Sequence, residues 1–164
     1  MAKRVSQVKL WKRIANMIGD EFDTKVYSDE VREEFEKPCF FIKSLMHSQL
    51  QNKFYIKRNL SIICTYFSDE DNKNEDHYLE MTDRFLLLFQ RGIHIEDRYF
   101  DVTDIHGDRI GEDDDIMQFT IEISYMDTTG VLEEKAENGE SMDTVQVRYE
   151  VETEEGKNGK IRNA

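Results

Sequence analysis

Four histidines (His47, His77, His94, His106) and two cysteines (Cys39, Cys64) are the most reactive side chains of this sequence. A cysteine beside a histidine would make a nucleophile and its base. An HExxH helix or spaced Cys and His pairs would make a zinc site. Neither pattern occurs. Cys39 and His47 share the run KPCFFIKSLMHSQLQ and the same parity, so a strand carries both on one face. Eight residues of strand separate them by roughly 26 Å, at about 3.3 Å per residue, which is far beyond hydrogen-bond reach. Both cysteines lie in apolar segments, where a reduced thiol behaves as a small hydrophobe. Two are also too few for a disulfide scaffold. The two could still be neighbours across a strand pair.

The acidic run SDEDNKNED invites a calcium reading. With Asp69 as loop position 1, Asp71 falls at 3, Glu75 at 7 and Glu80 at 12. Lys73 and Asn74 then stand at positions 5 and 6, where a calcium loop needs a ligand and a glycine. A helix N-terminus, which favours acids through its dipole, explains the run more simply. The second acidic group, Asp104, Asp108 and GEDDD, reads as a hairpin tip rich in turn formers. No glycine-rich phosphate cradle or nucleophile elbow appears. The sequence therefore predicts no catalytic residue, no cofactor-binding residue and no metal ligand, and hence a protein that is not an enzyme.

The elements that would position any site follow from periodicity. Val8, Trp11, Ile14, Ala15 and Ile18 recur at helical spacing, with Gly19 as a stop. The short strand KVYS and an acidic connector lead to Pro38, which suits the start of a strand. A strand is expected from Cys39 to Leu45, covered on both faces at its apolar start, and HSQLQNK as a polar hairpin end or a loop projecting from the sheet. The return strand alternates Phe54, Ile56, Leu60, Ile62, Cys64 and Tyr66 against Lys57, Asn59, Ser61 and Thr65; Ile63 breaks the polarity and predicts cover on both sides. A second helix is expected over about His77 to Arg91, ended by Gly92. Tyr78, Met81, Phe85, Leu88 and Phe89 form its face, widened by Leu79, Leu86 and Leu87. Strands follow near RYFDVTDI and DIMQFTIEISYM. The latter points Met117, Phe119, Ile121, Ile123 and Tyr125 inward and Gln118, Thr120, Glu122 and Ser124 outward.

The fold class is α+β: one mixed or antiparallel sheet flanked by two main helices, with an acidic C-terminal extension. Residues 1–129 form the domain. Residues 130–164 read as an acidic linker, one extra strand over TVQVRYEVETEE and a frayed end, and that strand could pair with its own sheet or a neighbouring subunit's.

Of 164 residues, 38% are apolar and 35% charged, and the net charge is −13. Residues 1–60 hold 12 basic and 8 acidic side chains, and the rest hold 10 and 27. Such a surface offers few phosphate contacts, which argues against sequence-specific nucleic-acid binding and suits DNA that must slide past. No apolar run approaches a membrane span and no secretory leader is evident, so cytoplasmic production is expected.

The stretch KVYSDEVREEFEKPCFFIKSL, followed by YIKRNLSIICTYFS, resembles the small tail terminator proteins of phages and prophages of Gram-positive bacteria. Tyr27, Asp29, Glu30, Pro38, Cys39, Phe40, Phe41, Arg58, Tyr66 and Phe67 stand at the matching places, and Ser68 replaces the family's proline. The helix HYLEMTDRFLLLF also fits, and the likeness spans about residues 5–126.

The resemblance implies a virion structural protein at the head-proximal end of the tail. Its subunits form a ring, typically a hexamer, that ends tube polymerisation and presents a surface to the head connector. Implied partners are further copies of itself, the tail tube protein, and sheath and head–tail connector proteins, with DNA only passing through the lumen and no membrane. Another head–tail joining or tail-completion protein is the alternative, followed by a binding module or regulator outside a virion. The expected subunit or tube interface comprises His47, Ser48, Gln49, Gln51, Asn52 and Lys53 in the hairpin end and Gln118, Thr120 and Glu122 on the outward face.

Overall fold

A computed structural model describes residues 4–28 and 35–131 of the chain. The extra strand and frayed end expected after residue 131 lie outside the described residues, as does most of the acidic connector. Helix α1 (Gln7–Phe22) begins at Ser6, whose side chain accepts from the Lys9 amide. It runs straight through Gly19, because the chain turns only at Asp23, which takes the left-handed conformation. Its buried stripe is Leu10, Ile14, Ala15, Ile18 and Phe22. The expected stripe was therefore rotated: Val8 is exposed and Trp11 only half-buried, while Leu10 and Phe22 were missed.

Strand β1 (Lys25–Ser28) pairs in parallel with the start of β2 (Cys39–Leu50), and β2 pairs antiparallel with β3 (Tyr55–Phe67). The hairpin is longer than the sequence suggested. His47–Leu50 continue as strand, and the turn is confined to the residues before Tyr55. There the Asn52 side chain accepts from the amides of Phe54 and Tyr55 at 2.9 and 3.0 Å, an Asx-type turn that satisfies the tip.

Helix α2 (Glu75–Phe89) is capped by Asn74, whose side chain accepts from the His77 amide. A small hairpin follows, β4 (Ile93–Ile95) with β5 (Arg98–Phe100), and then β6 (Val102–Ile110) and β7 (Ile116–Thr128). Strand β4 was not expected. HGDRI, read as turn, belongs to β6, and the turn is the Gly111–Asp115 stretch that follows. The main sheet has the order β1-β2-β3-β7-β6.

Both helices cover one side of this sheet. Phe40, Ile42, Leu60, Ile62, Cys64, Tyr66, Met117, Phe119, Ile121 and Ile123 point to that side and are buried. Phe22 meets Phe40 at 5.1 Å between ring centroids, and Phe85 stacks on Phe119 at 4.2 Å. Gly107 of β6 stands opposite Phe119, where a Cβ would come 2.7 Å from Met117 Cε and 3.1 Å from the Phe119 ring. The two helices and the mixed sheet make the fold α+β.

Candidate functional site

The side of the sheet away from the helices is the feature a functional reading must explain. Its rows are fixed by strand register. Lys43, Ile63, Thr120 and His106 form one row across β2, β3, β7 and β6, and Leu45, Ser61, Glu122 and Asp104 form the next. His47, Asn59 and Ser124 continue it toward the hairpin tip. Most of these side chains are polar and partly exposed. Two pairs knit the surface: Ser61 Oγ donates to Glu122 Oε2 at 2.7 Å, and Ser124 Oγ to Asn59 Oδ1 at 2.8 Å.

One end of this face carries an aromatic cap. Phe35 lies edge-on to Phe41 at 5.0 Å and within 5.5 Å of Phe67, and Tyr27 flanks Phe41 at 5.4 Å. That explains why Phe41 is half-buried and supports cover on both faces at the start of β2. Ile63, in the middle of β3 on the same face, is half-buried as well.

The sequence-predicted interface residues divide by parity. His47 and Gln49 share the open face with Gln118, Thr120 and Glu122, whereas Ser48 points to the helix side. Gln51, Asn52 and Lys53 are exposed at the tip. The fold thus brings five of the nine to one continuous surface.

The reactive side chains do not converge. Cys39 pairs with Phe67 and Cys64 with Ile42, so the thiols lie on opposite faces rather than beside each other. Both are free and fully buried. Desolvation pushes Cys39 up to about 11 and Cys64 higher still, which holds both as unreactive thiols. His77 shares a 2.9 Å hydrogen bond with the Tyr66 hydroxyl, and His106 one of 2.9 Å with Asp104. In the acidic run before α2, the Lys73 ammonium sits 3.1 Å from Glu70 and 3.3 Å from Asp115. Among the described residues no group of three or more His, Cys, Asp or Glu could hold a metal.

The charged centre that sequence reading missed is buried. Arg58 stands at an even position of β3 among Leu60, Ile62 and Cys64, and its side chain is only 3% exposed. Its partner is Asp127 of β7, at 3.5 Å and 0% exposed. Asp127 also takes Arg98 Nη1 at 3.4 Å and the Val5 amide at 3.2 Å. One carboxylate therefore ties the chain start, β3, β5 and β7 together. The inward parity of Arg58 was the available signal, but its partner lies far along the chain.

The sheet thus presents a largely polar face, with an aromatic cap at one end, on the side away from the helix layer. Residues 9–139 match the family described as phage tail terminator protein. The chain belongs to that family. Membership carries a tail-completion role, a location in the virion tail and interaction with other tail or virion proteins. No curated protein matches the chain. No helix among the described residues is long and apolar enough to cross a membrane.

Proposed function

We propose that this protein caps the end of a phage tail tube, ends tube polymerisation and presents a surface to the head connector at the head-proximal end. The family match over residues 9–139 carries this reading. The open sheet face supports it physically, because a heterologous contact repeated by rotation closes a ring, and six copies are the expected number. The ring's partners would be further copies of itself and the tail tube protein, with sheath and connector proteins possible on its other surfaces. The net charge of −13 suits a lumen through which DNA passes, since acidic walls make few phosphate contacts. The proposed contact residues are His47, Gln49, Gln118, Thr120 and Glu122 on the open face, with Gln51, Asn52 and Lys53 at the tip and Ser48 behind it.

Negative-stain electron microscopy of particles made with and without the gene tests the reading. Overlong, headless tubes in its absence are the expected result. Tails of normal length that fail to join heads would instead favour a joining protein on the connector side. Normal, infectious particles without the gene would overturn both.

A further inference from the structure

Five of the nine exposed large hydrophobic side chains among the described residues lie in two patches. Leu79, Leu86 and Leu87, at 58, 45 and 63% exposure, sit on the side of α2 that faces away from the sheet. Leu50 and Tyr55, at 75 and 49%, flank the tip of the β2–β3 hairpin.

We propose that the hairpin tip of one copy docks on the outer face of α2 in a second copy. The inference deepens the reading above, and rests on it in taking the partner to be the same chain.

Charge is the first argument. The outer side of α2 carries Glu75, Asp76, Glu80 and Asp83 around its leucines, all of them exposed. Arg84, the helix's single Lys or Arg, turns aside to Glu21. From Lys37 to Ser68, by contrast, the chain has no Asp or Glu. Lys53 and Lys57 are exposed beside the tip, and the Lys53 ammonium lies 5.9 Å from the centroid of the Phe54 ring. An acidic apolar face and a basic apolar tip attract, whereas two tips or two α2 faces repel.

Size is the second. Leu79 and Leu86 stand two turns apart along one stripe, roughly 10 Å, with Leu87 beside them. The strands of a hairpin lie about 5 Å apart. A tip with Leu50 on one strand and Tyr55 on the other is therefore of the same scale as the stripe.

Separation is the third. The Tyr55–Thr128 pair marks the tip end of the sheet, and the Phe67–Ile116 pair the other end. The thirteen residues of β3 between these ends span roughly 40 Å. The start of α2 is tied to the far end, where the Tyr78 hydroxyl shares a 3.0 Å hydrogen bond with Ser68 and donates to the Asp115 carbonyl at 2.5 Å. The leucines also face away from the sheet to which the hairpin belongs. Tip and stripe therefore meet only between copies. Two different patches paired in this way make a head-to-tail contact, which rotation closes into a ring.

Crosslinking of the purified full chain tests the docking independently of any tail assay. A Leu50→Cys chain is mixed with a Leu86→Cys chain and treated with a flexible bis-maleimide linker. Cys39 and Cys64 are buried and stay silent. Mixed dimers should exceed either chain's own dimers at least about tenfold. Lys53→Glu with Lys57→Glu in the first chain should remove that excess. Glu80→Lys with Asp83→Lys in the second should then restore it, with melting curves confirming that every variant is folded. Equal amounts of mixed and like products would overturn the docking, as would a mixed product indifferent to charge reversal. Overlong tubes without the gene, alongside no mixed product, would refute the docking and leave the tail reading standing. A charge-dependent mixed product beside normal tails would do the reverse.

Discussion

The buried carboxylate of Asp127 joins distant parts of the chain. It meets Arg58 and Arg98 and accepts the Val5 and Thr128 amides. Breaking a buried pair by removing one partner strands the other charge, which costs about 3–5 kcal/mol. Asp127→Ala should show that loss in urea unfolding. Arg58→Met should cost less, because Asp127 keeps Arg98 and two amides, and a larger loss in Arg58→Met would contradict this ordering. Tyr66 offers a second test at this scale. Burial, with smaller contributions from Asp69, Tyr78 and Cys39, pushes its phenol up to about 12. The folded state thus holds the proton that the unfolded state gives up near 10. The associated stability is complete below pH 10 and is lost as pH rises through 12, at about 1.4 kcal/mol per pH unit. Tyrosinate absorbance should show one late class of tyrosines in the native protein, and Tyr66→Phe should flatten the alkaline fall in stability.

At the scale of elements, Gly92 shows how a turn is forced by close approach. Its φ is +79°, and a Cβ there would meet the Tyr99 hydroxyl at 2.5 Å and the Phe100 carbonyl at 2.6 Å. Gly92→Ala should therefore lower stability by about 1–3 kcal/mol in thermal melts. Leu87→Gln, on the exposed side of α2, should stay within about 0.5 kcal/mol. This contrast also marks what sequence could tell. Gly92 was legible as a helix stop because the helical stripe ends there. Gly19 was not a stop, because the chain turns only after Phe22, a residue set by packing on Phe40 and Phe85. Leu79, Leu86 and Leu87 looked like extra core, yet all three are exposed, since period alone does not say how wide a face the sheet will cover. The long strands were legible because period-two alternation is strong over thirteen residues, as in β3 and β7. The three-residue strand β4 offered too few positions for any period, and RYFDVTDI, read as one strand, is divided between β5 and β6. Strand order and the Arg58–Asp127 pair depend on contacts between distant parts of the chain, which no local window contains. The site fared similarly. Gln118, Thr120 and Glu122 could be placed on an outward face by alternation, but their union with His47 and Gln49 required the register of three strands.

For the whole molecule, two helices on one side of a sheet place the core on that face and leave the other for the proposed assembly contact. Side chains toward the helices fill a closed core, so Phe85→Ala leaves a cavity between Phe22, Phe89 and Phe119 and should cost about 3–5 kcal/mol. Thr120 stands at the middle of the opposite face, with Ile63 and His106 beside it in the ladder. An arginine there reaches into solvent and disturbs no core contact, so Thr120→Arg should keep its melting temperature. If this face meets the next subunit or the tube, the same substitution places a long charged side chain inside a contact that must exclude water. Tail preparations carrying it should then contain overlong tubes despite normal amounts of folded protein. Soluble, stable variant protein together with tails of normal length would show that Thr120 lies outside the working contact. The same pair of measurements on Gln118→Arg and His47→Glu would then locate the contact elsewhere on the face or at the hairpin tip. Because unfolded protein would also fail to end the tube, a melting curve measured beside each tail-length count separates a lost contact from a lost fold.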